Sequence, residues 1–168
     1  YVDRVKELGM DSAAITDHGV MYGCIDFYKA CKKAGINPIL GCEVYVAPGS
    51  RFDKEAGNGE DRYYHLVLLA ENNQGYSNLM KIVSKSFVEG FYYKPRVDLD
   101  LLREYHEGLI ALSACLAGEV ARYLTRGMYE EGKKAALCYE EIFGKGNFFL
   151  ELQDHGIPEQ QTVNQQLL

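Results

Sequence analysis

Short apolar runs alternate with amphipathic stretches along this chain. The runs that begin at Ala13, Pro38, His65, Leu109 and Asn147 have the length and the β-branched or aromatic content of strands. They are apolar over most of their length, which is typical of strands that are covered on both faces. The pattern therefore predicts an interior sheet of parallel strands.

Between these runs the apolar residues recur every three or four positions, as they do on one face of an amphipathic helix. This spacing predicts helices near residues 2–8, 25–34, 76–87, 118–126 and 128–143, and another from residue 157 onward. Gly35 follows the second helix at the position where a left-handed glycine commonly ends one. Alternating strands and helices indicate an α/β protein, either a barrel or a doubly wound sheet.

The composition narrows the class of protein. Of the 168 residues, 47% are hydrophobic, which suffices for one domain with its own core. A formal net charge of −6 argues against a surface that neutralises a long nucleic-acid track. The five cysteines are scattered and form no C-x-x-C pair, which favours a reduced, cytoplasmic protein. No apolar run approaches the roughly 20 residues that cross a bilayer, so we expect no membrane partner.

Two segments interrupt the alternation of strands and helices. Residues 48–62 are rich in glycine and charge, which predicts a mobile loop. Residues 90–98, GFYYKPRVD, place three aromatic rings beside Lys94 and Arg96. Such a mixture can stack on nucleobases and contact phosphate, or it can form an aromatic loop pinned onto its own domain.

Candidate chemistry lies where the predicted strands end. In parallel α/β folds the functional groups gather at the carboxyl ends of the strands. Asp17 and His18 follow the first strand, Glu43 follows the apolar start of the second, and Cys115 ends the run from Leu109. An imidazole, a carboxylate and a thiol suit Zn, Mn or Fe better than Mg alone.

Each of these residues also has a purely structural interpretation. Asp17 to Gly19 can be an ordinary turn, Glu43 can pair with a cation, and Cys115 can be a small buried hydrophobe. The remaining histidines fit less well. His65 precedes its strand, so the pattern alone places it at the opposite rim, and His106 lies in a polar, solvated loop. His155 follows a strand and either joins a site or forms a turn.

Several long motifs resemble one family. These are AAITDHGVMYG, FYKACKKAGINPILGCEVYVAPGSR, YHLVLLAENNQGYSNLMKIVSKSFVEGFYYKPRVD, EGLIALSACLAGEV and FFLELQDHGIPEQQTVN. Together they resemble the PHP (polymerase and histidinol phosphatase) domain at the head of bacterial replicative DNA polymerases, the DNA polymerase III alpha subunits. The resemblance implies a distorted, parallel-strand (β/α)7 barrel whose cleft holds up to three divalent metal ions for phosphoester hydrolysis.

The same resemblance implies roles for individual residues. It implies that His18, Glu43, His65 and Cys115 are metal ligands, with Glu43 as a bridging carboxylate. It also implies that Asp17, His18 and Glu43 are catalytic, and it overrules the pattern-based objection to His65. The family's opening His-x-His and closing Asp-x-His motifs have no counterpart here. We therefore expect residues 1–168 to be a PHP fragment without the first strand and the C-terminal part of the barrel, and not a competent phosphoesterase alone.

The function implied for the complete domain is 3′–5′ exonuclease proofreading within a DNA polymerase, with DNA and the other subunits of the replicative holoenzyme as partners. Two alternatives stay open. The domain can be a non-catalytic scaffold of the same polymerase. It can also be a stand-alone phosphatase of the histidinol-phosphate type, against which the GFYYKPRVD and ACLAGE matches argue.

Overall fold

The computed structural model of the chain describes residues 1–55 and 62–168, and the second half of the predicted mobile loop, residues 56–61, lies outside this range. The helices within the described residues are α1 (Val2–Glu7), α2 (Cys24–Ala34), α3 (Asn73–Val88), α4 (Leu99–Tyr105), α5 (Glu119–Thr125), α6 (Tyr129–Phe143) and α7 (Pro158–Leu167). The strands are β1 (Ser12–His18), β2 (Asn37–Val46), β3 (Tyr64–Ala70), β4 (Arg96–Val97), β5 (Leu109–Leu112) and β6 (Phe148–Phe149).

These strands form one sheet in the order β1-β2-β3-β5-β6, and β4 pairs with β2. The pairs β1–β2, β2–β4 and β5–β6 are parallel, whereas β3 is antiparallel to both β2 and β5. The parallel-rich α/β sheet confirms the predicted fold class. The direction of β3 corrects the expectation of a wholly parallel sheet. The connection between β2 and β3 covers residues 47–63, and its described residues are not helical except for a single 3₁₀ position. Strands that are joined without a crossover helix can run in opposite directions.

The helix ends follow local sequence. α2 ends at Gly35, whose φ of 75° is left-handed, so a residue without a Cβ is favoured there. Asn72 is the N-cap residue of α3, and its side chain accepts a hydrogen bond from the Gly75 N–H. α4 was not predicted, although Asp98 caps it in the same way through the Leu101 N–H.

The main core lies between the sheet and helices α3, α4 and α6. Its fully buried residues include Leu68 on β3, Ile82 on α3, Leu101 and Leu102 on α4, and Ala111 on β5. Two smaller clusters surround it, one where α1 and α2 cover β1, and one where α5, α6 and α7 meet. No helix in the described ranges has the length and the apolar character needed to cross a membrane.

Candidate metal centre

Strand alternation decides which residues of β2 leave the core. Cys42, Val44 and Val46 point into the cluster beneath α3 and α4. Successive side chains of a strand point to opposite faces, so Glu43 and Tyr45 project from the other face of the sheet. We call the edge at which β1, β2 and β5 end the carboxyl rim. Glu43 therefore stands near this rim on the face turned away from the main core.

His18 is the last residue of β1, and its Cα pairs in register with that of Glu43. Its Nδ1 lies 2.7 Å from Oε1 of Glu43. The side chain of His18 is 74% exposed and that of Glu43 only 11%. The carboxylate is thus sheltered, while the imidazole that contacts it stays open to an incoming ligand.

The structure does not bring Asp17 to Glu43. Adjacent residues of a strand project to opposite faces, and Oδ2 of Asp17 accepts a hydrogen bond from the Gly23 N–H at 3.3 Å. A Cβ added at Gly23 would lie 3.0 Å from this oxygen and 2.7 Å from Cδ1 of Ile15. Asp17 thus holds the start of α2 against β1. Its side chain lies on the opposite face of β1 from that of His18.

His65 reaches the carboxyl rim because β3 is antiparallel. It pairs with Tyr45 near the end of β2, and its Nδ1 lies 3.2 Å from Oε1 of Glu43. The pattern-based placement at the opposite rim is wrong, because it assumed that β3 runs parallel to its neighbours. In an antiparallel strand the first residues meet the last residues of the partner.

Cys115 comes from the turn that follows β5. Its Sγ lies 3.4 Å from Nδ1 of His65. The preceding residue, Ala114, has a φ of 62°, which costs a non-glycine residue about 1–2 kcal/mol. The turn also packs closely on Gly118, where an added Cβ would lie 2.1 Å from the Ser113 carbonyl oxygen. The chain therefore adopts an unfavourable backbone conformation directly before the thiol.

Two tyrosines that the sequence reasoning did not single out enclose His65. The Tyr63 ring stacks on the imidazole at 6.0 Å between centroids, and the Tyr45 ring meets it edge-on at 5.3 Å. Tyr45 and Tyr63 also contact each other at 5.0 Å. Their alternation with Glu43 and His65 along β2 and β3 is the signal that could have identified them. The rings restrict the orientation of the imidazole.

The three groups shift each other's protonation. Hydrogen bonds with Cys115 and Glu43 raise the pKa of His65 to about 9, although burial opposes this. Burial acts to raise the pKa of Cys115, but hydrogen bonds from His65 and from the Ala117 N–H outweigh it and lower the pKa. Burial likewise acts on Glu43, and the hydrogen bonds from His65 and His18 hold its pKa below the ordinary value. The metal-free group thus places an imidazolium beside a carboxylate and a thiol whose proton is lost more readily than usual.

This donor set fits a divalent transition metal ion. One ligand atom from each of Glu43, His65 and Cys115 lies within 4.8 Å of the others. Ligand atoms at 2.0–2.3 Å from a tetrahedral Zn²⁺ are about 3.3–3.8 Å apart, so the contacts at 3.2 and 3.4 Å need little adjustment. Carboxylate, imidazole and thiolate are all side-chain groups that bind divalent metal ions. In the metal-free chain the protonated His65 supplies the positive charge beside Glu43 and Cys115 that a bound metal ion would otherwise supply.

The other two histidines stand apart from this group. His106 is exposed at the end of α4, as expected, and its Nδ1 contacts the Arg103 carbonyl oxygen. His155 is exposed in the turn before α7, where its Nδ1 lies 3.0 Å from Nε2 of Gln160. Of the two interpretations of His155, the structure supports the turn.

The GFYYKPRVD loop is pinned onto its own domain through Arg96. This side chain is fully buried, and its guanidinium donates hydrogen bonds to the carbonyl oxygens of Gly90, Arg51 and Asp53. Arg96 is therefore not a phosphate contact. Lys94, in contrast, lies at the carboxyl rim with its Nζ 5.4 Å from the centre of the Tyr45 ring.

The described part of the predicted mobile loop forms ion pairs with the rest of the domain. The side chain of Arg51 forms ion pairs with Glu89 at 2.7 Å and with Asp98 at 2.9 Å. These partners lie 38 and 47 residues away along the chain, so sequence alone does not reveal them, and the mobility of the loop stays a prediction.

Comparisons with known proteins agree with this architecture. The PHP domain family model matches residues 1–155. The chain is 49% identical over 162 residues to the DNA polymerase III subunit alpha of Treponema pallidum, covering 96% of this chain and 14% of that protein. The corresponding protein of Borreliella burgdorferi is 46% identical over 167 residues, covering 99% of this chain and 14% of the relative. The corresponding protein of Thermus aquaticus is 46% identical over 155 residues, covering 92% of this chain and 13% of the relative.

The chain thus spans only a small part of these relatives, 13–14% of their length. The match nevertheless extends over nearly all of this chain and includes the segments that carry Glu43, His65 and Cys115. The chain belongs to the PHP domain family and is homologous to the corresponding segment of the DNA polymerase III alpha subunits.

Proposed function

We propose that this chain is the PHP module of a bacterial replicative DNA polymerase and that Glu43, His65 and Cys115, with His18 beside them, bind a divalent transition metal ion. The complete domain then hydrolyses phosphoesters, as a 3′–5′ exonuclease that proofreads DNA in the cytoplasm. The observation that carries this proposal is the convergence of three chemically different ligands from β2, β3 and the turn after β5.

The candidate site residues have different roles in this proposal. When bound, the metal ion supplies Lewis acidity toward a phosphodiester oxygen and lowers the pKa of water. Glu43 supplies the negative charge that attracts it, and both imidazoles can share that carboxylate. The exposed His18 faces the side from which substrate arrives. Asp17 is a positioning residue, not a catalytic one, because its carboxylate holds the Gly23 N–H.

The surface next to the metal ligands suits a DNA end. Lys94 supplies a cation above Tyr45, and Tyr93 exposes 62% of its surface, with the Arg62 guanidinium 4.2 Å from its ring centre. Aromatic rings beside cations bind single-stranded nucleic acid by stacking and by charge. A short patch of this kind agrees with local contacts to one DNA terminus, despite the net charge of −6.

A scaffold role within the same polymerase is the second candidate. It is favoured by the number of residues that hold the structure together near the carboxyl rim, above all Arg96 and Arg51. Under this alternative the four candidate ligands would contribute to folding only. Metal content and exonuclease activity separate the two candidates.

The test uses the polypeptide that the gene encodes and its variants Glu43→Gln, His65→Ala and Cys115→Ser. We expect each variant to lose metal affinity and the release of nucleotides from a mismatched primer 3′ end. His155→Ala is the matched control, because this imidazole lies outside the ligand group. Undiminished nucleotide release in Glu43→Gln would favour the scaffold role, and hydrolysis of histidinol phosphate would favour the stand-alone phosphatase.

A further inference from the structure

Another carboxylate, that of Glu151, lies at the carboxyl rim beside Cys115. β6 pairs in parallel with β5, so the residues after Phe149 leave the sheet at the rim where the Cys115 turn begins. The Ser113 N–H donates to the Phe149 carbonyl oxygen at 3.0 Å, and the Glu151 N–H donates to Oγ of Ser113 at 2.8 Å. Glu151 is thereby fixed to the start of the turn that presents the thiol.

The two carboxylate oxygens of Glu151 differ in their surroundings. Oε1 accepts a hydrogen bond from Nε2 of Gln153 at 2.6 Å. Oε2 is inaccessible to solvent and has no hydrogen-bond partner among the described residues. A sheltered carboxylate oxygen without a donor is unfavourable, by about 1–3 kcal/mol or more, unless water or a cation satisfies it.

A small cavity of about 10 Å³ lies between this carboxylate and the cysteine turn. It is lined by Ala114 and Cys115 on one side, by Glu151 on another, and by Gln160 and Asn164 of α7 on the third. This volume is at the lower limit for one water molecule. A water molecule here can donate to Oε2 while it contacts the cysteine turn.

We propose that Glu151 is a positioning residue of the metal centre, which binds one ordered water molecule in this cavity and so fixes the turn from Ser113 to Cys115. The unfavourable φ of Ala114 is the independent observation, because such a conformation persists only where neighbouring contacts impose it. The bond from the Glu151 N–H to Ser113 is one such contact, and the water is a second. Residues that orient ligands from behind commonly change metal affinity about 10–100-fold.

This inference rests on the proposed function, since it concerns the thiolate ligand of the same metal ion. The test is a titration of the full chain with Co²⁺, whose thiolate charge-transfer band reports the Co–S bond directly. Glu151→Gln should weaken Co²⁺ binding about tenfold and alter the band. Glu119→Gln is the matched control, because Glu119 is also a sheltered carboxylate but bonds to Tyr139.

The outcomes are separable. If the wild-type chain shows no thiolate band, the proposed metal ligation itself is wrong, and this inference falls with it. If the wild type shows the band and Glu151→Gln matches it in affinity and spectrum, only the role of Glu151 is overturned. A crystal structure of the metal-free chain provides a second measurement: it should contain a water molecule within hydrogen-bond distance of Oε2, and an empty cavity would contradict the proposal.

Discussion

Nδ1 of His65 and Oε1 of Glu43 lie 3.2 Å apart although the two residues come from strands of opposite direction. The contact exists because β3 enters the sheet at the rim where β2 ends. A parallel β3 would place the imidazole at the far rim and leave Glu43 with His18 alone. The reversed strand is therefore the topological feature that assembles the candidate metal centre.

The first prediction concerns pH. A metal ion must displace the proton of His65, and the pKa of this imidazole is about 9 in the metal-free chain. We expect the affinity for Zn²⁺ to rise about tenfold from pH 7 to pH 8, and to level off above pH 9. Competition for Zn²⁺ with a chromogenic chelator, at a series of pH values across this range, measures the affinity. Glu43→Gln removes one cause of the raised pKa, so its curve should level off at lower pH, and a flat wild-type curve would count against the account.

The second prediction concerns the choice of metal ion. Replacing the soft thiolate by a hydroxyl in Cys115→Ser should reduce Zn²⁺ affinity about 10–100-fold and Mn²⁺ affinity much less, because Mn²⁺ prefers oxygen ligands. Isothermal titration with both ions gives the ratio. Cys138→Ser is the control, since Cys138 lies on α6 and outside the ligand group. An equal loss for both ions would mean that the sulfur is not a ligand.

The third prediction concerns the turn that presents Cys115. Gly118→Ala places a Cβ 2.1 Å from the Ser113 carbonyl oxygen, so the turn must move. We expect a loss of about 2–4 kcal/mol in the free energy of unfolding, together with weaker metal binding. Gly49→Ala is the matched control, because a Cβ there meets nothing within 4 Å. Urea denaturation measures both variants, and equal stabilities would show that the turn tolerates displacement.

The fourth prediction separates the two cations of the GFYYKPRVD loop. Arg96→Ala removes the guanidinium that donates to the carbonyl oxygens of Gly90, Arg51 and Asp53, and should destabilise the fold by about 3 kcal/mol. Lys94→Ala should change the stability by less than about 0.5 kcal/mol, since its amine stands over the Tyr45 ring at the rim. Thermal and urea unfolding measure the stability of both variants. A larger loss of stability in Lys94→Ala than in Arg96→Ala would contradict this prediction.

Much of the fold could be predicted from hydrophobic spacing. The helices that contain Phe27, Ile82 and Ile142 lie where the three-to-four-residue period indicated them, because each buries one apolar face. The direction of β3 could not be read from its own residues, since an apolar run looks alike in both directions. The signal was in the connection before Tyr64, whose glycine-rich sequence carries no helical period.

Sequence reasoning predicted some residues of the candidate site and not others, because it locates strand ends but not strand directions. His18, Glu43 and Cys115 stand near strand ends, where the general rule for α/β folds points. His65 required the resemblance to the PHP family, because its position depends on strand direction. The sequence analysis grouped Asp17 with His18, whereas strand alternation turns the two side chains to opposite faces. Glu151 was missed because its significance lies in an unsatisfied oxygen, which no sequence pattern reveals.

The central claim is that Glu43, His65 and Cys115 bind one metal ion, and X-ray absorption at the zinc edge of the Zn²⁺-loaded chain tests it most directly. We predict one sulfur at about 2.3 Å together with nitrogen or oxygen ligands at about 2.0–2.1 Å, and loss of the sulfur shell in Cys115→Ser. A spectrum of the wild-type chain that contains only light-atom ligands, and that Cys115→Ser leaves unchanged, would contradict the account.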